Sequence, residues 1–150
     1  MNKELKARIS DPIKIEKQLI QLGAVFTHQD LQRYVYFNQP EGKVLKLAER
    51  NGKTYKTVIE RRGNKFTIVS DNKIAEPAVL EAELAEKYGI KTTLINCCKF
   101  FSLNDETISI NDIDGVGDFL IIEGEEPSTE LLKKLGIDEE AIVTVSFDNL

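Results

Sequence analysis

Asn51-Gly52 lies between two runs of strand-forming residues, 44–50 and 54–61. Both central positions of a tight hairpin turn need positive φ, so this dipeptide commits the middle of the chain to antiparallel pairing. The punctuation recurs. Pro40-Glu41-Gly42 separates residues 31–37 from the first run, Gly63-Asn64 leads from the second into 65–69, and Asn104-Asp105 joins 92–103 to 107–113. Asp114-Gly115-Val116-Gly117 then turns into 119–123. Ahead of these, Glu4-Leu5-Lys6-Ala7-Arg8-Ile9 alternates polar and apolar residues, the signature of a half-buried strand, with Glu4, Lys6 and Arg8 on one face.

Three helices interrupt the strands. Asp11-Pro12 reads as an N-cap followed by Pro at the first helical position, and Gly23 ends a helix with Ile13, Leu19 and Leu22 on its apolar side. Residues 77–88 are rich in Ala, Leu and Glu, good helix formers, and stop at Gly89. A third helix starts at Ser128, with Glu130 in its first turn and Lys133-Lys134 in its last, matching the helix dipole, and ends at Gly136. Asp138 caps one further turn, and residues 143–147 form a short closing segment. Many hairpins with few helices imply an α+β fold. About eight antiparallel strands can close, or nearly close, into a barrel flanked by these three helices. The 150 residues fit one domain, 1–150.

Composition narrows the function. A net charge of −5 argues against a basic surface for DNA. No apolar run approaches the roughly 18–20 residues of a membrane span, and Met1 to Lys6 shows no apolar signal region, so no membrane and a cytoplasmic location are expected. The adjacent Cys97 and Cys98 read as free thiols. The single histidine, His28, beside Thr27 and Gln29, reads as an exposed loop residue. Charge also repeats along the strands: Glu4, Lys6 and Arg8 in the first, Lys46 and Arg50 in a later one, Arg61 at the end of a third. Such a face is either solvated surface or the lining of a barrel that holds an anion.

Five stretches, in order, resemble the CYTH family of class IV adenylyl cyclases and thiamine triphosphatases. Residues 2–8, Asn-Lys-Glu-Leu-Lys-Ala-Arg, are similar to its opening E-x-E-x-K-x-R strand. Gln32-Arg33-Tyr34-Val35-Tyr36-Phe37 resembles Q-x-D-x-Y-F, and residues 42–49 resemble G-R-L-K-L-R-E with one residue inserted. Residues 110–119 resemble L-D-x-V-x-G-L-G-x-F, which leads into E-x-E, and Leu135-Gly136-Ile137 with residues 146–150 resembles the family's ending. The resemblance implies a triphosphate tunnel: a barrel lined with Lys and Arg that grip a triphosphate, and with Glu and Asp that hold Mg²⁺ or Mn²⁺. Carried over residue by residue, it implies Glu4 as a metal ligand or base, Lys6, Arg8, Lys46 and Arg61 as triphosphate-binding, and Glu123 as a second metal ligand, with Glu4 and Lys6 the catalytic pair. ATP, thiamine triphosphate and inorganic triphosphate are the implied ligands, for a monomer or homodimer.

The chain also departs from the pattern. Asn2, Tyr34, Ala48, Asn96, Cys98, Asn111 and Ile121 stand where the family carries charge, although a shift of one residue would bring Asp112 to the place of Asn111. Losses of both signs keep an enclosed interior near charge balance. They leave two functional readings: a metal-dependent adenylyl cyclase or triphosphatase, or a barrel of weakened or lost activity that binds a phosphorylated ligand or a partner. A purely structural domain with an exposed charged face is the third.

Overall fold

The computed structural model describes residues 2–150. Eight strands, β1 (Lys3–Arg8), β2 (Val25–Phe37), β3 (Lys43–Arg50), β4 (Lys53–Arg62), β5 (Lys65–Lys73), β6 (Ile90–Leu103), β7 (Glu106–Ile113) and β8 (Gly117–Gly124), close in the order β1-β5-β4-β3-β2-β6-β7-β8. Helix α1 (Pro12–Gln21) joins β1 to β2, α2 (Pro77–Tyr88) joins β5 to β6, and α3 (Glu130–Lys134) follows β8. Two 3₁₀ turns, Glu139–Ala141 and Phe147–Asn149, end the chain. All strand pairs are antiparallel, as the hairpin signals require. Asn51 and Gly52 take φ of 49° and 73° in the β3–β4 turn. Asp11 caps α1 by accepting a hydrogen bond from the Lys14 backbone N–H.

The barrel is built with its apolar surface outside. Successive strand residues point to opposite faces. In β1 the outward residues are Leu5 and Ala7, and these pack with Ile15 and Leu19 of α1, Leu131 and Leu132 of α3, and Ile108, Ile110, Leu120 and Ile122 of β7 and β8. On the opposite side Leu84 of α2, with Leu80 against it, covers Val35, Phe37, Leu45 and Leu47 of β2 and β3. The two main cores therefore lie between barrel and helices, and the polar alternates face the lumen.

Several boundaries differ from the sequence reading. Strand β2 begins at Val25 rather than Leu31, because fourteen-residue β6 pairs along its whole length. His28 therefore lies in a strand, exposed as expected but not in a loop. Strand β5 runs on to Lys73 past a bulge between its pairings at Ser70 and Ile68. Helix α3 starts at Glu130, with Thr129 rather than Ser128 before it. Residues 143–146 form no strand. They close a seam instead: β1 pairs with β5 only at Lys3 and Glu4, and farther along its edge meets Ile142 opposite Ala7 and the Val143 N–H donating to the Lys6 carbonyl at 2.8 Å. No described helix is long and apolar enough to cross a membrane.

Because α1 seals one outer core, Leu19→Ala, at a position 0% exposed, removes side-chain volume that the barrel wall cannot refill. It is expected to lower unfolding stability by about 2–5 kcal/mol, read from urea denaturation. Val79→Ala, at a half-exposed position in α2, is expected to shift it by no more than about 0.5 kcal/mol. Equal effects at the two sites would contradict an outward-facing core.

Candidate functional site

The lumen is divided into two cavities that open at opposite ends. The larger, about 730 Å³, reaches the end marked by the Asn51 turn, and the smaller, about 400 Å³, reaches the end marked by the Pro40-Glu41-Gly42 turn. Between them Lys6, only 3% exposed, places its ammonium 4.4 Å from the Phe66 ring centroid and 4.1 Å from that of Phe147. Phe147 comes from the last 3₁₀ turn, held by an ion pair from Lys91 to Asp148 at 3.1 Å. This turn thus lies across the lumen and divides the two cavities.

This partition separates the residues nominated from sequence. Glu4, Lys46 and Glu123 line the large cavity together. Arg61 lines the small one, donating to the Thr144 carbonyl at 3.1 Å and meeting Glu41 at 3.4 Å. Lys6 faces inward and meets Glu4 at 4.0 Å, but lines neither cavity itself. Arg8 is exposed, donates to the Val116 carbonyl at 3.2 Å and lies 4.7 Å over the Phe119 ring, away from both cavities. Asn111 faces the lumen and Asp112 faces solvent, so Asp112 recovers no lost ligand.

Charge in the large cavity sits mainly on five contiguous strands, with Glu123 of β8, Glu4 of β1, Asp71 of β5, Lys53 of β4 and Lys46 and Arg50 of β3; Asp30 of β2 is the exception. Glu123 of β8 and Glu4 of β1 are direct cross-strand partners. Burial raises the Glu123 carboxyl above its ordinary range, the Glu4 charge raises it further, and a hydrogen bond from Asn2 opposes both. Lys46 of β3 lies 4.1 Å over the Tyr34 ring, with no carboxylate within ion-pair distance among the described residues. Loss of water around it pulls its pKa down to about 8; Glu4 resists this, while Lys6 and Arg50 reinforce it. At the mouth, Arg50 of β3 grips Asp71 of β5 through two hydrogen bonds of 2.8 and 3.0 Å, and Thr57 of β4 also donates to Asp71 at 2.7 Å. Burial alone would raise Asp71, but these bonds outweigh it and hold the carboxyl low.

The other three strands carry an almost uncharged wall. Tyr34 donates to Gln32, Asn96 donates to Tyr34 at 3.1 Å and to Asn111 at 2.9 Å, and Asn111 donates to Ser109 at 3.0 Å. Tyr34, Asn96 and Asn111 are thus linked to one another and draw little on a ligand. Ala48 packs against Val44, Ile59 and Phe66, and Ile121 against Phe119 and Phe147. Cys98 is buried with its thiol pushed up to about 12, and Cys97 is exposed; both are free.

Glu4 and Glu123 are a donor set suited to a hard cation. Mg²⁺ is held by one or two carboxylates plus phosphate oxygens and water, rather than by a full protein cage. No group of three or more His, Cys, Asp or Glu able to hold a metal occurs among the described residues. The pair therefore fits a cation that arrives with its ligand. Arg50 and Asp71 were not nominated as site residues. Arg50 shares the inward alternation of Lys46, which is a legible signal, but Asp71 reaches the lumen only through the bulge in β5.

No family model matches the chain. It is 24% identical to the protein named "Putative adenylate cyclase MJ0240" of Methanocaldococcus jannaschii, over 96% of this chain and 94% of the other. A solved protein of Pyrococcus horikoshii superposes with a TM-score of 0.87 at 24% identity, covering all of this chain and 99% of that one. A Hippeastrum protein, described as a putative adenylyl cyclase with a dominant triphosphatase activity, superposes at 0.60 with 16% identity, over 91% and 89% of the two chains. The chain thus shares, along nearly its whole length, the barrel fold of proteins named for adenylyl cyclase and triphosphatase activity.

Proposed function

We propose that the large cavity binds a triphosphate together with a divalent cation, in the manner of an adenylyl cyclase or triphosphatase barrel. The observation that carries this is Lys46, a cation set in the lumen wall without an acidic partner and facing the space beside Glu4 and Glu123. A cation with most of its water removed is stabilised by an anion brought to it. The Arg50–Asp71 pair neutralises itself and Lys6 meets Glu4 at 4.0 Å, which leaves Lys6 and Lys46 opposite the two carboxylates with no surplus positive charge. A triphosphate, with about four negative charges because phosphate oxygens ionise near pH 6, therefore needs Mg²⁺ or Mn²⁺ to enter. Glu4 and Glu123 would hold that cation, which offsets charge on the phosphate oxygens.

Turnover is the second reading, favoured by the same carboxylate pair and by the named activities of the similar proteins. It consists of attack by a ribose hydroxyl on the α-phosphorus, releasing pyrophosphate, or by water on the terminal phosphorus. Lys6 sits behind aromatic rings and Arg61 lies in the other cavity, so few cations face the transferred group. Each missing charge-stabilising donor typically costs about 10²–10³ in rate, so any turnover is slow.

Calorimetry with ATP, thiamine triphosphate and tripolyphosphate is expected to show binding that requires Mg²⁺, with little release of phosphate or cyclic AMP. Lys46→Gln removes a charge-assisted contact worth about 1.5–3 kcal/mol and is expected to weaken binding about 10- to 100-fold; unchanged affinity would remove the proposal's basis. Glu4→Gln with Glu123→Gln is expected to abolish the relaxation enhancement of Mn²⁺ added with ATP, while retained enhancement would place the cation elsewhere.

The pH dependence follows from Lys46. The bound anion favours the charged ammonium, so binding takes up a proton when the free site has lost one. With the free pKa at about 8, affinity is full below that pH and falls as pH rises through and beyond it. Between pH 7.5 and 9.5, above the terminal phosphate ionisation at about pH 6, wild-type affinity for Mg²⁺–ATP is expected to fall and that of Lys46→Gln to stay flat. Parallel profiles would contradict Lys46 as the anion contact.

A further inference from the structure

The uncharged wall and its mouth need an occupant of different chemistry. In β2 and β6, His28 and Phe100 are direct cross-strand partners whose rings stack 4.5 Å apart and 11° from parallel. Both line the large cavity, where His28 is exposed and Phe100 half-buried. Thr27 fixes the pair, since its hydroxyl lies 3.0 Å from His28 Nδ1 and donates to the Phe100 carbonyl at 3.1 Å. One face of His28 is taken by Phe100, and an exposed, orientated ring remains at the entrance to a cavity whose charged half lies on the opposite strands. The neighbouring lining residues Asp30 and Thr107 offer hydrogen-bonding groups. On this side, β2 and β6 with Thr107, the lining is thus polar and carries no cation besides His28 itself, while Arg50 and Lys53 lie across the mouth on β3 and β4. Such a lining suits neither a phosphate nor a lipid chain here.

Resting on the triphosphate reading, we infer that this entrance seats the organic part of the ligand: a planar heteroaromatic ring stacked on His28, with its edge turned toward Asp30 and Thr107. The phosphate chain then runs inward to Lys46 and the Glu4–Glu123 pair. The ligand is on this account a nucleotide or similar heteroaryl triphosphate, and not inorganic triphosphate. Stacking of a base on an aromatic side chain contributes enough that its removal typically weakens binding several-fold to about a hundredfold. It tolerates different rings, because each presents a π face.

The chain has one histidine, so the ring-proton resonances of His28 are unambiguous. With Mg²⁺ present, ATP or thiamine triphosphate is expected to shift them upfield, whereas tripolyphosphate leaves them near their free positions. In calorimetry at least one of the two organic triphosphates is expected to bind more tightly than tripolyphosphate. His28→Ala and Phe100→Leu are expected to reduce that affinity about 5- to 100-fold and to leave tripolyphosphate affinity within about twofold. If tripolyphosphate binds and neither organic triphosphate binds more tightly, or if the variants retain wild-type affinity for both, the stacking inference is overturned while the triphosphate reading stands. If none of the three binds, both are overturned.

Discussion

The barrel depends on where its strands send their two faces. Most small barrels fill their interior with apolar side chains and expose polar ones. Here Leu5, Ala7, Leu45, Leu47, Leu120 and Ile122 point out, beneath α1, α2 and α3, and Glu4, Lys46, Thr57, Ser109, Asn111 and Glu123 point in. The helices are therefore essential: without them the outer faces would be bare apolar surface. Burial on the outside stabilises a lumen that could not be stable as a core. Ionisable groups can remain there because the cavity is open at its mouth and because Arg50 and Asp71 satisfy each other.

Within that lumen the chain distributes charge unevenly. Strands β8, β1, β5, β4 and β3 hold most of the ionised groups, and β2, β6 and β7 hold a linked set of amides and hydroxyls, with Asp30 the one acid lining the cavity there. The exchange of Asp- or Lys-like positions for Tyr34, Asn96 and Asn111 is thus structurally coherent. Neutral groups bond to one another across three adjacent strands. A polar network of this kind stays favourable when nearly all its members are satisfied. One oxygen, Oδ1 of Asn96, has no partner among the described residues. The result is a site with two chemically distinct halves, suited to a ligand with a charged part and an uncharged part.

Much of this was legible in the residues. The hairpin turns, the extent of α2 and the single polar face of β1 follow from local rules of φ, helix propensity and alternation, and the structure agrees with each. The large cavity unites Glu4, Lys46 and Glu123 because all three obey the period of two. What escaped the sequence is non-local. Lys6 also obeys alternation, yet it is walled off by Phe147, more than a hundred residues away in the chain. The inward turn of Asp71 depends on a bulge that no residue type announces. His28 reads as a loop residue because it is a lone polar residue beside Thr27 and Gln29, and the partner that makes residues 25–30 a strand is distant β6. Local patterning thus gave the wall of the site, and long-range packing decided which parts of that wall meet.

The central claim is that the polar lumen, and not the outer surface, receives the phosphates. A crystal grown with Mn²⁺ and a non-hydrolysable ATP analogue tests this most directly, because the anomalous signal of manganese locates the metal independently of the ligand. The account predicts the metal peak between Glu4 and Glu123, phosphate density within contact of Lys46, and the organic group at the open end. A metal and triphosphate found in the small cavity beside Arg61, or on the exterior, would contradict it.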